Sequence, residues 1–151
     1  MAAVIKVINT PDGQFPKTFI RKGVVKAGSV ESIKPGYLII KDSGNAGYAI
    51  AAPDATASTA EVLGVATSTS NDTASADGTF EFVTGAALLV EIKAKTPGSL
   101  VSTMLYDQYT LDVTSGAYTL DQGTTTNGIF RLFDFDNTTD GNCIATLSCN
   151  L

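Results

Sequence analysis

The chain has 151 residues, enough for one well-buried core and short for two. Charged residues make up 17% and hydrophobic ones 44%, with a net charge of −5, which excludes charge-driven disorder and a generally basic nucleic-acid binder. There is no His and no Trp, so Ser-His-Asp and Cys-His catalysis, His-based zinc sites and haem ligation by His are excluded together.

The start, Met1 to Lys6, lacks a basic stretch followed by a long apolar run, and no stretch approaches the ~18 apolar residues of a membrane span. The expectation is a product made in a cytoplasm, with no membrane partner. Charge divides unevenly, with +5 over residues 1–41 and −10 over residues 42–151. The spacing predicts a docking arm over residues 1–30 and a β-barrel domain over residues 31–151. Pro11-Asp12-Gly13 and Pro16 hinder a regular central strand there. Val4, Ile5, Phe15 and Phe19 need cover, while Lys6, Lys17, Arg21 and Lys22 give the arm its sign. Such an arm is expected to lie outside the barrel, on a neighbouring surface. The alternative is a basic edge strand lying on its own acidic body.

Further along, Tyr37–Lys41 and Tyr48–Ala52 flank Asp42-Ser43-Gly44-Asn45-Ala46-Gly47, turn chemistry for a hairpin. Residues 51–60 and 67–76 are Ala/Ser/Thr-rich and read as polar loops around a short strand, Val62–Thr67, broken by Gly64. Residues 79–94 alternate: Phe80, Phe82, Ala86, Leu88, Val90 and Ile92 fall on one parity, with Glu81, Glu91 and Lys93 on the other. Gly85 marks a bulge or bend within them. Ser99–Tyr106 repeats Leu100, Val101, Met104 and Leu105 at helical spacing behind a Ser99 cap. Tyr109–Val113 and Ala117–Leu120 flank Thr114-Ser115-Gly116 as a second hairpin. Gly128–Phe135 and Cys143–Ser148 flank residues 136–142 as a third. The expected fold is all-β, a small barrel or sandwich with at most one or two short helices.

Candidate sites are few. Gly128–Phe135 is apolar on both faces, as in a strand that meets a core on one side and a partner on the other. Ile129, Phe130, Leu132 and Phe133 are therefore candidates for a subunit interface. Residues 134–142 are dense in oxygen ligands, but the D-x-D-x-D-G spacing of a calcium loop is absent, and Asp, Asn and Gly are also what hairpin tips use. Cys143 and Cys149 stand six apart, ~20 Å in a strand, far beyond disulfide reach, and Cys143, Ala145, Leu147, Cys149 and Leu151 share one strand face. Free buried thiols are expected. No pair of carboxylates stands out for glycoside hydrolysis, and neither a G-x-S-x-G elbow nor a phosphate-binding glycine loop is present. The expectation is a protein that is not an enzyme, with no catalytic residue, metal or cofactor and no nucleic-acid partner.

One pattern is more specific. Pro35-Gly36-Tyr37-Leu38-Ile39-Ile40-Lys41-Asp42, then Gly47-Tyr48-Ala49-Ile50-Ala51-Ala52, Val62-Leu63-Gly64-Val65-Ala66 and Asp77-Gly78-Thr79-Phe80-Glu81-Phe82-Val83-Thr84-Gly85 resemble the head decoration, or cement, proteins of tailed bacteriophages. The resemblance covers about residues 35–95. Tyr37 departs from it, standing where such sequences often carry Asp. It implies a β-tulip-like barrel behind an extended N-terminal segment. It also implies a place on the outer surface of the virion, with the major capsid protein and other copies of the chain, as a homotrimer, for partners. The protein would then bridge capsomers and stabilise the shell. Other virion parts, such as head–tail joining or tail proteins, and carbohydrate- or surface-binding β-modules are the competing classes.

Overall fold

The computed structural model describes residues 3–8, 19–53, 61–138 and 141–149. Within them the chain forms eleven strands and one 3-10 turn. In chain order the strands are β1 (Lys6–Val7), β2 (Phe19–Val25), β3 (Leu38–Lys41), β4 (Ala49–Ala51), β5 (Val62–Ala66), β6 (Gly78–Thr84), β7 (Leu88–Ala94), β8 (Gln108–Thr114), β9 (Ala117–Asp121), β10 (Phe130–Phe135) and β11 (Asn142–Leu147). The all-β expectation holds.

Five strands close into a barrel in the order β7-β11-β10-β8-β9, with β9 returning to β7 through a short parallel pair, Lys93 to Thr119 and Ala94 to Leu120. Closure removes open edges from this part of the molecule. Lys95, just past the parallel pair, reaches Asp112 at 3.0 Å and Asp121 at 3.3 Å, so one ammonium stitches β8 and β9 to the end of β7. Alternation fills the interior: Leu88, Val90, Ile92, Leu111, Leu120, Leu132, Cys143, Ala145 and Leu147 are all buried.

The other five strands form a second sheet in the order β2-β6-β5-β3-β4. Both its faces are apolar. Leu38, Ile40, Val62, Val65 and Val83 pack toward the barrel core, whereas Ile39, Ala66, Phe80 and Phe82 join Val25 and Ile33 in a separate cluster. Residues 79–94, read as one alternating run, are two strands in two sheets. Gly85-Ala86-Ala87 is the corner between them, where small side chains let the chain change layers. Gly64 lies in β5 where the register to β3 slips, Ile39 facing Gly64 and Ile40 facing Val62.

The N-terminal expectation needs correction. Ile5 is 2% exposed, within the main core. β1 pairs with β7, the Ile5 amide donates to Gly36 O at 3.0 Å, and the Tyr118 amide donates to Ala3 O at 2.9 Å. β2 pairs with β6 along its whole length, Phe19 to Thr84 through Val25 to Gly78. Within residues 1–30, Lys6–Val7 and Phe19–Val25 are therefore strands of the chain's own sheets, not an arm outside them. Basic composition signals exposure of side chains, not the absence of backbone pairing. Phe15 and Lys17 lie outside the described residues. The predicted helix over Ser99–Tyr106 is a single 3-10 turn, Ser102–Met104, without a side-chain cap. It follows Pro97-Gly98, and two turns of uncapped helix are too short to hold themselves together.

Candidate interaction surface

The interface expected on β10 dissolves into a different arrangement. Ile129, Phe130 and Leu132 are each 0% exposed and belong to the core of the chain itself. Leu132 pairs with Ala145 and Asp134 with Ile144, so Phe133 is one residue too many for the ladder. It forms a β-bulge, which shifts the alternation by one. Phe135 thereby pairs with the inward-facing Cys143 and packs against the core, although strict parity would turn it outward. The doubly apolar sequence is thus a bulged strand with one core face, and of the four candidate residues only Phe133 reaches the surface.

The bulge points the Phe133 ring at Tyr106. Their centroids lie 6.0 Å apart with planes at 72°, an edge-to-face pair. Tyr106 is itself irregular, with φ +71°, a left-handed conformation rare for a bulky side chain. Both sides of this residue are held: its amide donates to Leu132 O at 2.7 Å, and its carbonyl accepts from the Arg131 guanidinium. Two separate backbone irregularities therefore bring two aromatic rings together outside the core, Tyr106 at 62% exposure and Phe133 at 42%. Val101 is also exposed, and Asp107 and Asp134 follow the two aromatic residues directly in the chain.

A second exposed strip lies on β2. Ile20, Lys22 and Val24 share one face, with Ile20 70% exposed. The opposite face holds Gly23, under the ring of Phe80, and the buried Val25. Arg21 and Lys22 are exposed, as are Val4 and Lys6 near β1. Beside the strip, Lys26 Nζ sits 5.1 Å from the ring centre of Tyr48, whose hydroxyl donates to Asp77 at 2.7 Å.

The acidic hairpin tip works internally where it is described. Asp136 accepts the Thr138 amide at 3.0 Å and its hydroxyl at 3.1 Å, while Asn137 accepts the Leu100 amide at 3.2 Å and donates to the Leu100 carbonyl. Residues 139 and 140 lie outside the described residues. Among the described residues no three metal-ligating side chains cluster. Cys143 and Cys149 are both free thiols. Burial raises each of them to about 11, and for Cys149 bonds at Gly85 and Thr84 partly oppose that rise.

No family model matches this chain, and no curated protein and no solved structure matches it either. Tyr106, Val101 and the Ile20 strip are not apparent in the sequence as surface groups. Apolar residues in a strand-rich chain read as core; the register slip turns Phe133 outward, the turn geometry goes with the exposure of Tyr106, and Ile20 lies on the uncovered face of β2.

Proposed function

We propose that the chain is a head decoration protein of a tailed bacteriophage, a structural component that binds the outside of the capsid and stabilises it by bridging capsomers. The observation that carries this reading is the Tyr106–Phe133 pair. An aromatic residue in a left-handed conformation and a bulged one beside it raise the free energy of the isolated fold. Exposed aromatics flanked by Arg131 are what protein interfaces bury. The resemblance noted above supports the same role, because its segments are β3, β4, β5 and β6, four of the five strands of the second sheet. A barrel closed on itself leaves no free edge along β7, β11, β10, β8 and β9, which suits a structural part. In this role the work is contact rather than turnover, with the major capsid protein and other copies of the chain as partners.

A carbohydrate-binding module would also use exposed aromatics. The 72° angle between the rings offers no flat double platform for a sugar face, which favours a protein partner. The test is binding of purified protein to emptied, expanded heads that lack it, read by pelleting and by the temperature at which the heads break. Saturable binding with a rise in that temperature is expected. Folded protein left in the supernatant at saturating concentration overturns the reading.

A further inference from the structure

We propose that Asn127 is a site of spontaneous covalent modification: the Gly128 backbone nitrogen displaces its side-chain amide, leaving aspartate and isoaspartate at position 127. The inference goes beyond the reading above, does not rest on it, and holds whatever the chain binds.

The reaction runs through a five-membered ring. The Gly128 nitrogen bonds to Asn127 Cγ, the Cγ–Nδ2 bond breaks, and ammonia leaves with the proton from that nitrogen. Water, the only co-reactant, then opens the ring at either carbonyl. Opening at Cγ leaves aspartate. Opening at the α-carbonyl leaves isoaspartate, whose main chain runs through Cβ and Cγ and is one carbon longer. Asparagine is a thermolabile residue for this reason, most of all where its side chain is unheld and the next residue has no Cβ to crowd the ring.

Asn127 meets both conditions. It is exposed, and Asn127-Gly128 is the one Asn-Gly pair in the chain. Its side chain makes no hydrogen bond among the described residues. The other described asparagines are held or differently placed. Asn45 donates to Asp42 at 2.9 Å, Asn71 accepts the Thr79 amide at 2.7 Å, and Asn137 is bonded both ways to Leu100. Asn142 lies in β11, paired with Lys93, ahead of the buried Cys143. Asn9 and Asn150 lie outside the described residues and precede Thr10 and Leu151.

The fold also keeps the pair together. Asn127 has φ +53°, a left-handed conformation that Asn takes readily in turns. The Gly128 amide donates to Thr125 O at 3.2 Å, which closes the turn and has to open before the ring forms. Residues 125–127 are all exposed, so this opening is local and does not need the fold to unravel. A Cβ at position 128 would stand 2.9 Å from Gln108 Cβ and 3.0 Å from its carbonyl carbon, so packing on β8 demands the glycine that speeds the reaction. Immediately afterwards the chain enters the core: Ile129 and Phe130 are 0% exposed, and Ile129 donates to Tyr109 O at 3.0 Å and accepts the Ser148 amide at 2.9 Å. An isoaspartate at 127 puts an extra main-chain carbon directly before these fixed positions. An aspartate adds a charge alone, on a backbone that Asp also tolerates.

The test ages the purified full chain in warm, mildly alkaline buffer, with peptide mapping by mass spectrometry at intervals. A synthetic peptide of residues 122–132 ages alongside. Exchange of NH for O is expected at position 127, with aspartate and isoaspartate products, while Asn45, Asn71, Asn137 and Asn142 stay intact. Asn127→Gly, which suits the turn and has no amide to lose, should keep its mass over this segment. The modified fraction, separated by anion exchange, should melt below Asn127→Asp, which carries the new charge without the longer main chain. An intact Asn127 in the protein after the peptide has reacted overturns the proposal, as does another described asparagine reacting first. A modified fraction that melts together with Asn127→Asp overturns the role given to the extra carbon.

Discussion

The ring of Phe80 lies over the α-carbon of Gly23: a methyl group at position 23 would stand 2.4 Å from the ring's Cζ. The contact explains how a Gly is placed within β2, because the close approach lets Phe80 seal the second core cluster against the edge strand. Gly23→Ala should lower stability by about 1–3 kcal/mol through overpacking, with Phe80→Leu restoring part of it. Gly64→Ala should be worse, since its methyl would stand 2.0 Å from the Val83 carbonyl oxygen, which cannot swing away. Urea unfolding checks both, and an unchanged midpoint for Gly23→Ala would refute the packing.

Asp72 pins the loop after β2 to the loop before β6. It is 1% exposed and accepts the Ser32 amide at 3.1 Å, the Ser32 hydroxyl at 2.8 Å and the Ser70 hydroxyl at 2.5 Å. Burial pushes its carboxyl up, but the serine and backbone bonds together outweigh that and hold it below the usual value. A depressed carboxylate stabilises the fold above its unfolded value, about 3.9, and that stability is lost as pH falls through the folded value. Unfolding free energy measured from pH 7 downward should therefore drop below about pH 4. Asp72→Asn should cost about 1–3 kcal/mol at neutral pH and flatten that acid limb. An unchanged limb would mean that Asp72 does not contribute to it.

Phe130 and Leu132 should behave as core. Phe130→Ala should cost about 3–5 kcal/mol, and Asp at either position should unfold the chain rather than yield a folded monomer. A soluble, folded Phe130→Asp protein would return β10 to an interface role.

The first strand should behave likewise. Ile5→Ala should cost about 2–5 kcal/mol, and deletion of residues 2–8 should lower the melting temperature, since Ile5 fills the main core and β1 extends β7. A truncated protein melting like wild type would restore the view of this segment as a detached arm.

Both thiols should be slow. With values near 11, about one thiol in a thousand is ionised at pH 8, and Cys143 is also closed to reagent. Alkylation should be slow in the native protein and fast, at two sites, once it is unfolded. A rapid native reaction at Cys143 would contradict its burial.

How far the sequence reads depends on how local the cause is. The three hairpins were legible because turn-forming residues cluster between apolar runs, as in Asp42-Ser43-Gly44-Asn45, where Asp42 accepts the Gly44 amide at 2.8 Å and the Asn45 side chain at 2.9 Å. The barrel core was legible as alternation from Leu88 to Ala94. What escaped depends on distant partners. Ile5 is buried because Gly36 leaves room for the strand to pass, its φ of +86° and open α-carbon facing Val4. The surface role of Phe133 follows from one residue of slippage against β11, which no periodicity at position 133 announces. Tyr106 is outward because Leu132 and Arg131 hold its peptide groups from another strand.

The central claim, that this chain sits on the outside of a phage head, is tested most directly by an electron cryomicroscopy map of the particles that carry it. The account predicts density of this barrel and its second sheet repeated at regular positions over the outer shell, each copy touching more than one capsomer. A bare shell, or the same density confined to the neck or tail, would contradict it.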